Sequence, residues 1–374
     1  MNNNRIKVGA IGIGNCFSGL IQGIELYRTI LKDKEPTGLM NEKIGSYSIF
    51  DIDFVAGWDV GENKIIRSII SSIYQEPNLV NWIDPKSSLN KRSDWWKECL
   101  ENSVVQEAPI LDGIGIYVEN KIKPISNPKS LYELEKEVIQ EIKNKRVEIL
   151  VNYLPVGSQK ATEWWAEIAL KTGCAFINCI PQFIASVPTW ESRFKDKRIP
   201  IIGDDVKGQI GATIVHRILA WLVNNRGAKL ERTYQLNVGG NTDFLNMKEQ
   251  ERLESKKISK TTSVQSQLSK ELNSEHIYIG PSDFIPFLGN TKLAFIRLEG
   301  KMFAEIPFNM ELRLEVDDKS NSAGVVIDAI RCAKLALDRK IGGNLEGPSA
   351  YFCKHPLEQF SDDEAKKMTD KFIV

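Results

Sequence analysis

The feature that most constrains this fold is a strand that ends in a glycine-rich turn near the start of the chain. Residues 6–14 (IKVGAIGIG) are mostly apolar and close on two spaced glycines. Residues 17–31 then carry apolar side chains at helical spacing, and a second apolar run at 52–58 ends at Asp59. Strand, glycine turn, helix, strand and acid follow one another in the order of a dinucleotide-binding βαβ unit. The sequence therefore predicts that the chain opens with a Rossmann-like unit.

The glycines of this turn depart from the usual GxGxxG spacing, because the third one, Gly19, comes two positions late. Gly12 still permits a tight turn, and Gly14 lets a pyrophosphate approach the backbone at the N-terminus of the helix. Asp59 can accept hydrogen bonds from both ribose hydroxyls and would repel a 2′-phosphate, which favours NAD over NADP. The alternative is a tight βα loop that binds no ligand.

Strand and helix patterns alternate through much of the chain and predict an α/β sheet of mostly parallel strands. After the opening βαβ unit, strands are expected at 147–154, 175–180 and 199–203, and helices near 129–145, 158–172 and 212–223. The composition then changes. Residues 230–239 and 293–316 alternate apolar and polar side chains, which is typical of antiparallel strands with one polar face. A further helix is expected at 322–340.

Composition excludes several classes of partner. The chain has 374 residues with 49 basic and 49 acidic side chains, so no net field favours nucleic acid or an anionic membrane. No apolar run approaches the roughly 20 residues of a membrane span, and the first strand starts too early for a signal peptide. Six cysteines without a CxxC pair predict reduced thiols and a cytoplasmic location. Three histidines make a His/Cys metal site unexpected, while a carboxylate-bound cation stays open.

Two polar segments follow predicted strands, where open α/β sheets bind their ligands. Asp204 and Asp205 come directly after the strand at 199–203, with Lys207 close behind. An aspartate N-cap would explain one carboxylate but not both, so a functional role is favoured. The second segment, 237–243 (NVGGNTD), combines amides, a carboxylate and bare backbone that suit a polyol or a nicotinamide amide. An Asn-Gly turn explains that segment equally well.

A third segment carries lysines that would share one face of a helix. Lys256 and Lys260 are four residues apart, so two ammonium groups could grip a phosphate and lower each other's pKa. A solvated surface is the commoner explanation of such a lysine run. His216, on the helix expected at 212–223, is interpreted as structural.

Taken together, motifs along the whole chain resemble the bacterial and archaeal myo-inositol-1-phosphate synthases. The matching segments appear in the family's order at 12–16, 111–115, 152–158, 203–207, 236–247, 253–260, 321–324 and 348–351. The resemblance implies a Rossmann-like NAD-binding domain, 1–212 completed by 321–374, with an inserted α+β domain, 213–320, that carries catalysis and tetramerisation. It also implies a homotetramer that uses NAD to convert D-glucose 6-phosphate to 1D-myo-inositol 3-phosphate without net redox change.

The resemblance also assigns roles to residues. The C5 hydroxyl would be oxidised beside Lys256 and Asp205, Lys260 and Lys354 would hold the C5 oxygen or the phosphate, and Lys292 with Asp318 would polarise the C1 aldehyde. Substrate and nicotinamide would be lined by Asn237, Gly239, Asn241 and Asp243. Contacts to the cofactor would come from Gly12, Gly14, Asn15, Cys16, Asp59, Asp112, Gly113, Leu154, Pro155, Asp204, Gly208, Asp243 and Lys256.

One position departs from the family pattern. Many members have serine where this chain has Gly208, which removes a side-chain contact to the nicotinamide. Prokaryotic relatives often use a divalent cation near the cofactor, and Asp204 or Asp205 could position one here. Two other functions are considered: an NAD-dependent sugar-phosphate dehydrogenase, which would release NADH, and a nucleotide-sensing scaffold. Neither needs four lysines, so the lysine set favours the synthase.

Overall fold

The computed structural model describes residues 5–86 and 92–374, apart from the side chains at 99, 100, 281 and 282. The thiol of Cys99 therefore lies outside the described residues. No helix of the described chain combines the length and the apolar character that a membrane crossing requires.

The first sheet has seven parallel strands and confirms the predicted α/β class. The strands are β1 Ile6–Ile11, β2 Ile52–Asp59, β3 Val105–Glu107, β4 Ile149–Asn152, β5 Ala175–Asn178, β6 Pro200–Ile202 and β11 Gly343–Asn344, ordered β11-β6-β5-β4-β1-β2-β3. The order reverses beside β1, so the carboxyl ends of β1 and β4 border a crevice.

Helices cover both faces of this sheet, and four of them occur where the sequence predicts them. They are α1 Asn15–Arg28, α2 Ile69–Ser72, α3 Leu131–Lys145, α4 Gln159–Thr172, α5 Pro188–Asp196, α9 Ser320–Asp338, α10 Glu346–Phe352 and α11 Asp362–Ile373. Helix α3 begins in a capping box between Ser130 and Glu133, which satisfies two backbone donors reciprocally. Of the four predicted helices, α1 ends three residues before the predicted boundary, and α3, α4 and α9 end within two.

The second sheet has four strands, ordered β10-β9-β7-β8. Its elements are α6 Ala212–Asn225, β7 Lys229–Gly239, α7 Thr242–Asn246, α8 Gln250–Gln265, β8 Ile277–Phe284, β9 Thr291–Lys301 and β10 Pro307–Asp317. Strand β9 pairs antiparallel with β7 and β10, as predicted, but β8 was not predicted and pairs parallel to β7. The chain returns through α7 and α8 between β7 and β8, so both strands run in the same direction.

Apolar packing of α6 and α8 covers one face of the second sheet. Leu230, Ile279, Ile296 and Leu298 point towards these helices and are at most 8% exposed. On the same face His216 is buried between Thr233 and Gln235, at 2.7 and 3.3 Å from their side-chain oxygens. Burial lowers the pKa of His216 to about 4, so the ring is neutral and its role is structural.

The register of the second sheet places the carboxyl ends of β7 and β10 at the same end of that sheet, next to the crevice of the first sheet. Gly239 at the end of β7 lies opposite Lys292, and Asp317 at the end of β10 lies opposite Thr291. The segments that follow β7 and β10 therefore leave the sheet at one end, beside α1.

Candidate active site

A cavity runs between the two sheets, from the glycine turn of β1 to the helix α8. Gly12, Gly14 and Asp59 line one end, and Lys256 and Lys260 line the other. The sequence predicted these residues as separate motifs, and the fold brings them to one continuous surface.

The glycine turn is shaped for an anion. Gly12 has φ +88°, and a β-carbon there would lie 2.9 Å from the carbonyl oxygen of Tyr153. A β-carbon on Gly14 would meet nothing within 4 Å, so open space lies above the N-terminus of α1. That helix has no acidic residue in its first turn and no side-chain cap. Its N–H groups and dipole can therefore bind a phosphate.

Asp59 holds the turn as well as facing the cavity. One carboxylate oxygen accepts from the N–H of Ile13 at 2.8 Å, and the other accepts from Val60 and Gly61 at 2.8 and 2.9 Å. Buried Lys64 donates to the carbonyl of Ile13 at 2.9 Å and lies 3.5 Å from Asp59. Lys64 was missed from the sequence, where nothing distinguishes it from a surface lysine.

Five lysines and three carboxylates form what we call the lysine cluster, which comprises Lys256, Lys260, Lys292, Lys319, Lys354, Asp205, Asp243 and Asp318. Lys256 pairs with Asp243 at 3.1 Å and Lys354 pairs with Asp205 at 2.8 Å. Asp318 pairs with two lysines, Lys292 at 3.4 Å and Lys319 at 3.0 Å. Buried lysines this close together are stable as ammonium groups only when carboxylates or an anionic ligand neutralise their charge.

Within the cluster, Lys260 differs from the other four lysines. It is 3% exposed, and among the described residues its ammonium has no hydrogen-bond or ion-pair partner. Burial, together with Lys292, Lys256 and Lys354, holds the pKa of Lys260 well below its usual range. The surface interpretation of the lysine run is therefore wrong for Lys260, which lies inside the protein.

The pKa of Lys256 moves in the opposite direction from the expected one. Burial lowers it, but the carboxylates of Asp243 and Asp205 outweigh burial, so the pKa lies above the ordinary value. Lys256 does help to lower the pKa of Lys260, as predicted, whereas carboxylates decide the net direction for Lys256. Lys256 is an ammonium at neutral pH because it has carboxylate partners that Lys260 lacks.

The two adjacent aspartates have different surroundings. Asp205 lines the cavity and also accepts from Ser259 on α8 at 2.7 Å. Asp204 points away from it and accepts from Asn178, from the N–H groups of 184–186 and from the hydroxyl of Ser186. Burial raises the pKa of Asp204 to about 6 despite these donors. The prediction of Asp204 as a cofactor or cation ligand is therefore corrected, because its oxygens are committed to the fold.

Three more predicted residues stabilise the fold and do not line the cavity. Asn237 donates to the carbonyl of Gly280 at 2.6 Å, and neighbouring Gln235 takes its place in the lining. Gly239 gives room to Phe244, whose ring would lie 2.5 Å from a β-carbon there. The carboxylate of Asp112 caps α4 by accepting from the N–H groups of residues 160 and 161.

The other predicted residues do lie in the lining. On the cofactor side these are Asn15, Cys16, Gly113, Leu154, Pro155 and Gly208, and Asn241 joins them near the cluster. Residues 5–86 and 92–374 contain no group of three or more His, Cys, Asp or Glu side chains arranged to hold a metal ion.

Comparison with known proteins identifies the family. Residues 211–319 match the family model described as myo-inositol-1-phosphate synthase. The chain is 45% identical over 370 residues to an inositol-3-phosphate synthase of Mycobacterium tuberculosis, covering 99% of this chain and 96% of that protein. This chain belongs to the myo-inositol-1-phosphate synthase family. An inositol-3-phosphate synthase of Mycolicibacterium smegmatis is 44% identical, with 98% of each chain covered.

Members of the synthase family share this fold at much lower sequence identity. A myo-inositol-1-phosphate synthase-related protein from Thermotoga maritima superposes with a TM-score of 0.79, at 22% identity over 99% of this chain and 98% of that one. This likeness confirms the architecture alone.

Gly208, the departure from the synthase pattern, makes room for Asn321. A β-carbon at Gly208 would lie 2.9 Å from the side chain of Asn321. That side chain accepts from the N–H of Ile210 at 2.9 Å and donates to its carbonyl at 3.1 Å. Gly208 therefore allows a direct contact between the loop after β6 and the start of α9.

Proposed function

We propose that this protein converts D-glucose 6-phosphate to 1D-myo-inositol 3-phosphate in an NAD-dependent cyclisation without net redox change. The observation that carries the proposal is the lysine cluster, in which five lysines face three carboxylates and buried Lys260 has no ion-pair partner among the described residues. The lysines outnumber the carboxylates, which suits an anionic substrate such as a phosphate monoester, with about −1.5 to −2 charges at neutral pH.

The glycine turn, the N-terminus of α1 and Asp59 fit a dinucleotide at the other end of the cavity. When bound there, NAD would accept a hydride at the start of the reaction and return it at the end. Gln235 and Asn241 also line the cavity and offer amide groups to the bound molecules.

Lys260 is the residue best suited to bind the substrate phosphate. Its neighbours are cationic and it has no carboxylate partner, so an arriving dianion would meet the least competition there. A phosphate beside it would raise its pKa, so that binding is accompanied by uptake of a proton. Lys354, which lies near Lys260, is held by Asp205 and by the carbonyl of Val206 at 2.7 Å.

Lys256 and its carboxylates are suited to move the proton of the C5 hydroxyl. Lys256 donates to Asp243, while Asp205 lies close enough to raise the same pKa. Because Lys256 is already an ammonium, it can accept the proton of the hydroxyl only as its own proton passes to Asp243 or Asp205, and the reverse transfer returns both protons later. Lys292 can donate to the C1 oxygen during ring closure, because it faces the cavity beside Asp318.

An end-point assay with glucose 6-phosphate and catalytic NAD⁺ tests this function. Phosphorus NMR and absorbance at the NADH band are followed together. We expect inositol phosphate to exceed the NAD supplied, with no net NADH. NADH that rises in step with an oxidised sugar phosphate would instead show a dehydrogenase. Bound NAD without turnover would favour a sensing role.

We also propose that the chain forms a homotetramer through its second sheet. One face of that sheet is covered by α6 and α8, whereas Tyr234, Tyr278 and Phe295 on the other face are 36%, 50% and 38% exposed. Tyr234 and Tyr278 are opposite each other on paired strands, so their side chains leave the same face of the sheet. A second copy of the same face would bury both.

Light scattering on the double variant Tyr234→Glu/Tyr278→Glu tests this interface. We expect a tetramer for the unmodified chain and smaller species for the variant, because four buried glutamates would face one another across each interface. Tyr132→Glu is the control, since Tyr132 is 80% exposed on α3 of the other sheet. A variant that stays tetrameric would contradict the assignment of this face.

The proposed cytoplasmic location is supported by the five described cysteines, which are all free thiols.

A further inference from the structure

Lys319 is a buried lysine that no sequence motif singled out. It is 2% exposed, lines the cavity and lies at the N-terminus of α9, directly after Asp318. Its ammonium donates to Asp318 at 3.0 Å and lies 3.6 Å from the sulfur of Cys16. Cys16 is in the first turn of α1, so one ammonium contacts both the lysine cluster and the anion-binding turn.

The displaced glycine of the turn explains how Lys319 comes so close. A β-carbon on Gly19 would lie 3.1 Å from the β-carbon of Lys319 and 3.2 Å from the ring of Trp82. A larger residue at this position of α1 would push the start of α9 away from the turn. The unusual spacing of the third glycine therefore coincides with the approach of Lys319.

A cation at this point would reduce the repulsion between the carboxylates of the lysine cluster and a bound pyrophosphate. Asp318 and Asp243 are carboxylates of the lysine cluster, and a dinucleotide bound at α1 would bring a pyrophosphate towards them. Like charges in a buried site repel strongly unless a cation lies between them. Burial alone would lower the pKa of Lys319, but Asp318, Cys16 and Asp243 outweigh burial and keep the side chain an ammonium.

We propose that Lys319 binds the pyrophosphate of the dinucleotide while its contact with Asp318 links the cofactor to the substrate end of the cavity. This inference rests on the proposed function, because it requires a dinucleotide at the turn of α1. The ammonium of Lys319 has two donors beyond the one given to Asp318, so it can contact the carboxylate and a phosphate oxygen together.

Binding of ADP-ribose and of adenosine to the Lys319→Met variant tests the proposal by calorimetry. ADP-ribose contains the pyrophosphate and adenosine does not. We expect the Kd for ADP-ribose to rise about 10- to 100-fold, as for loss of a hydrogen bond to a charged group, and the Kd for adenosine to stay within about twofold. Lys319→Arg, which keeps the charge, should recover part of the affinity and serves as the second variant if Lys319→Met does not fold.

Lys207→Met is the matched control. Lys207 is also 2% exposed and ion-paired, but its partner is Asp362 and it does not line the cavity. The Lys207→Met variant should have a lower free energy of unfolding, and its Kd values for ADP-ribose and for adenosine should be unchanged. Unchanged ADP-ribose affinity in Lys319→Met, or an equal loss for adenosine, would overturn the role of Lys319. Failure of the unmodified chain to bind ADP-ribose would overturn the proposed cofactor site itself.

Discussion

Replacing Lys256 by alanine should lower kcat by about 10²- to 10⁴-fold, the range for loss of a group that transfers protons. The affinity for NAD should change little, because the glycine turn and Asp59 lie at the far end of the cavity. The physical reason is the ion pair of Lys256 with Asp243, which keeps an ammonium group and a carboxylate together beside the reacting hydroxyl. Single-turnover kinetics at saturating glucose 6-phosphate measure the loss, and calorimetry with NAD measures the affinity.

Lys257→Ala is the control for this prediction. Lys257 is on the same helix, but it contacts Gln250 at 3.2 Å and does not line the cavity. It tests whether loss of a lysine from α8 is itself harmful. Normal kcat in Lys257→Ala with a large loss in Lys256→Ala would support the proton-transfer role. Full activity in Lys256→Ala would remove Lys256 from the mechanism.

Local patterns were sufficient for most of the fold. The glycine turn, the acid after β2 and the apolar runs of the first sheet each depend on near neighbours in sequence, and the structure places them as predicted. Strand β8 could not be predicted in the same way. Its segment (IYIGPSDF) contains a glycine and a proline, and its pairing with β7 depends on helices that lie between them.

Site prediction failed where the direction of a side chain decides its role. Asp204 and Asp205 are adjacent, yet one points into the first sheet's loops and the other into the cavity. Asn237 and Gln235 are both on one face of β7, and only Gln235 lines the cavity. No sequence motif identifies Lys319, because its partners other than Asp318 come from distant parts of the chain. Tertiary packing sets these directions, and sequence spacing does not record them.

Arg217→Met should lower the free energy of unfolding by about 3–5 kcal/mol, the range for removal of one partner from a buried ion pair. Arg217 is fully buried on α6 and pairs with Asp362 at 2.8 Å. It also donates to the carbonyls of Ser263 at the end of α8 and of Phe360, at 2.6 and 2.7 Å. Methionine keeps most of the volume but removes the donor to the carbonyl of Phe360, and leaves the Ser263 carbonyl with Ser266 and Asp362 with Lys207.

The same contacts connect three parts of the molecule, so the substitution should reach the active site. Arg217 joins the helix that carries Lys256 and Lys260 to the C-terminal segment that follows Lys354. Urea unfolding at a fixed protomer concentration measures the stability, because oligomers unfold in a concentration-dependent way.

Arg193→Met is the control: its pair with Glu167 is exposed, and its loss should lower stability by less than about 1 kcal/mol. If both variants unfold at the same urea concentration, the buried network does not hold α8 in place. A selective loss for Arg217→Met would mean that the lysine cluster is positioned by a network outside the cavity.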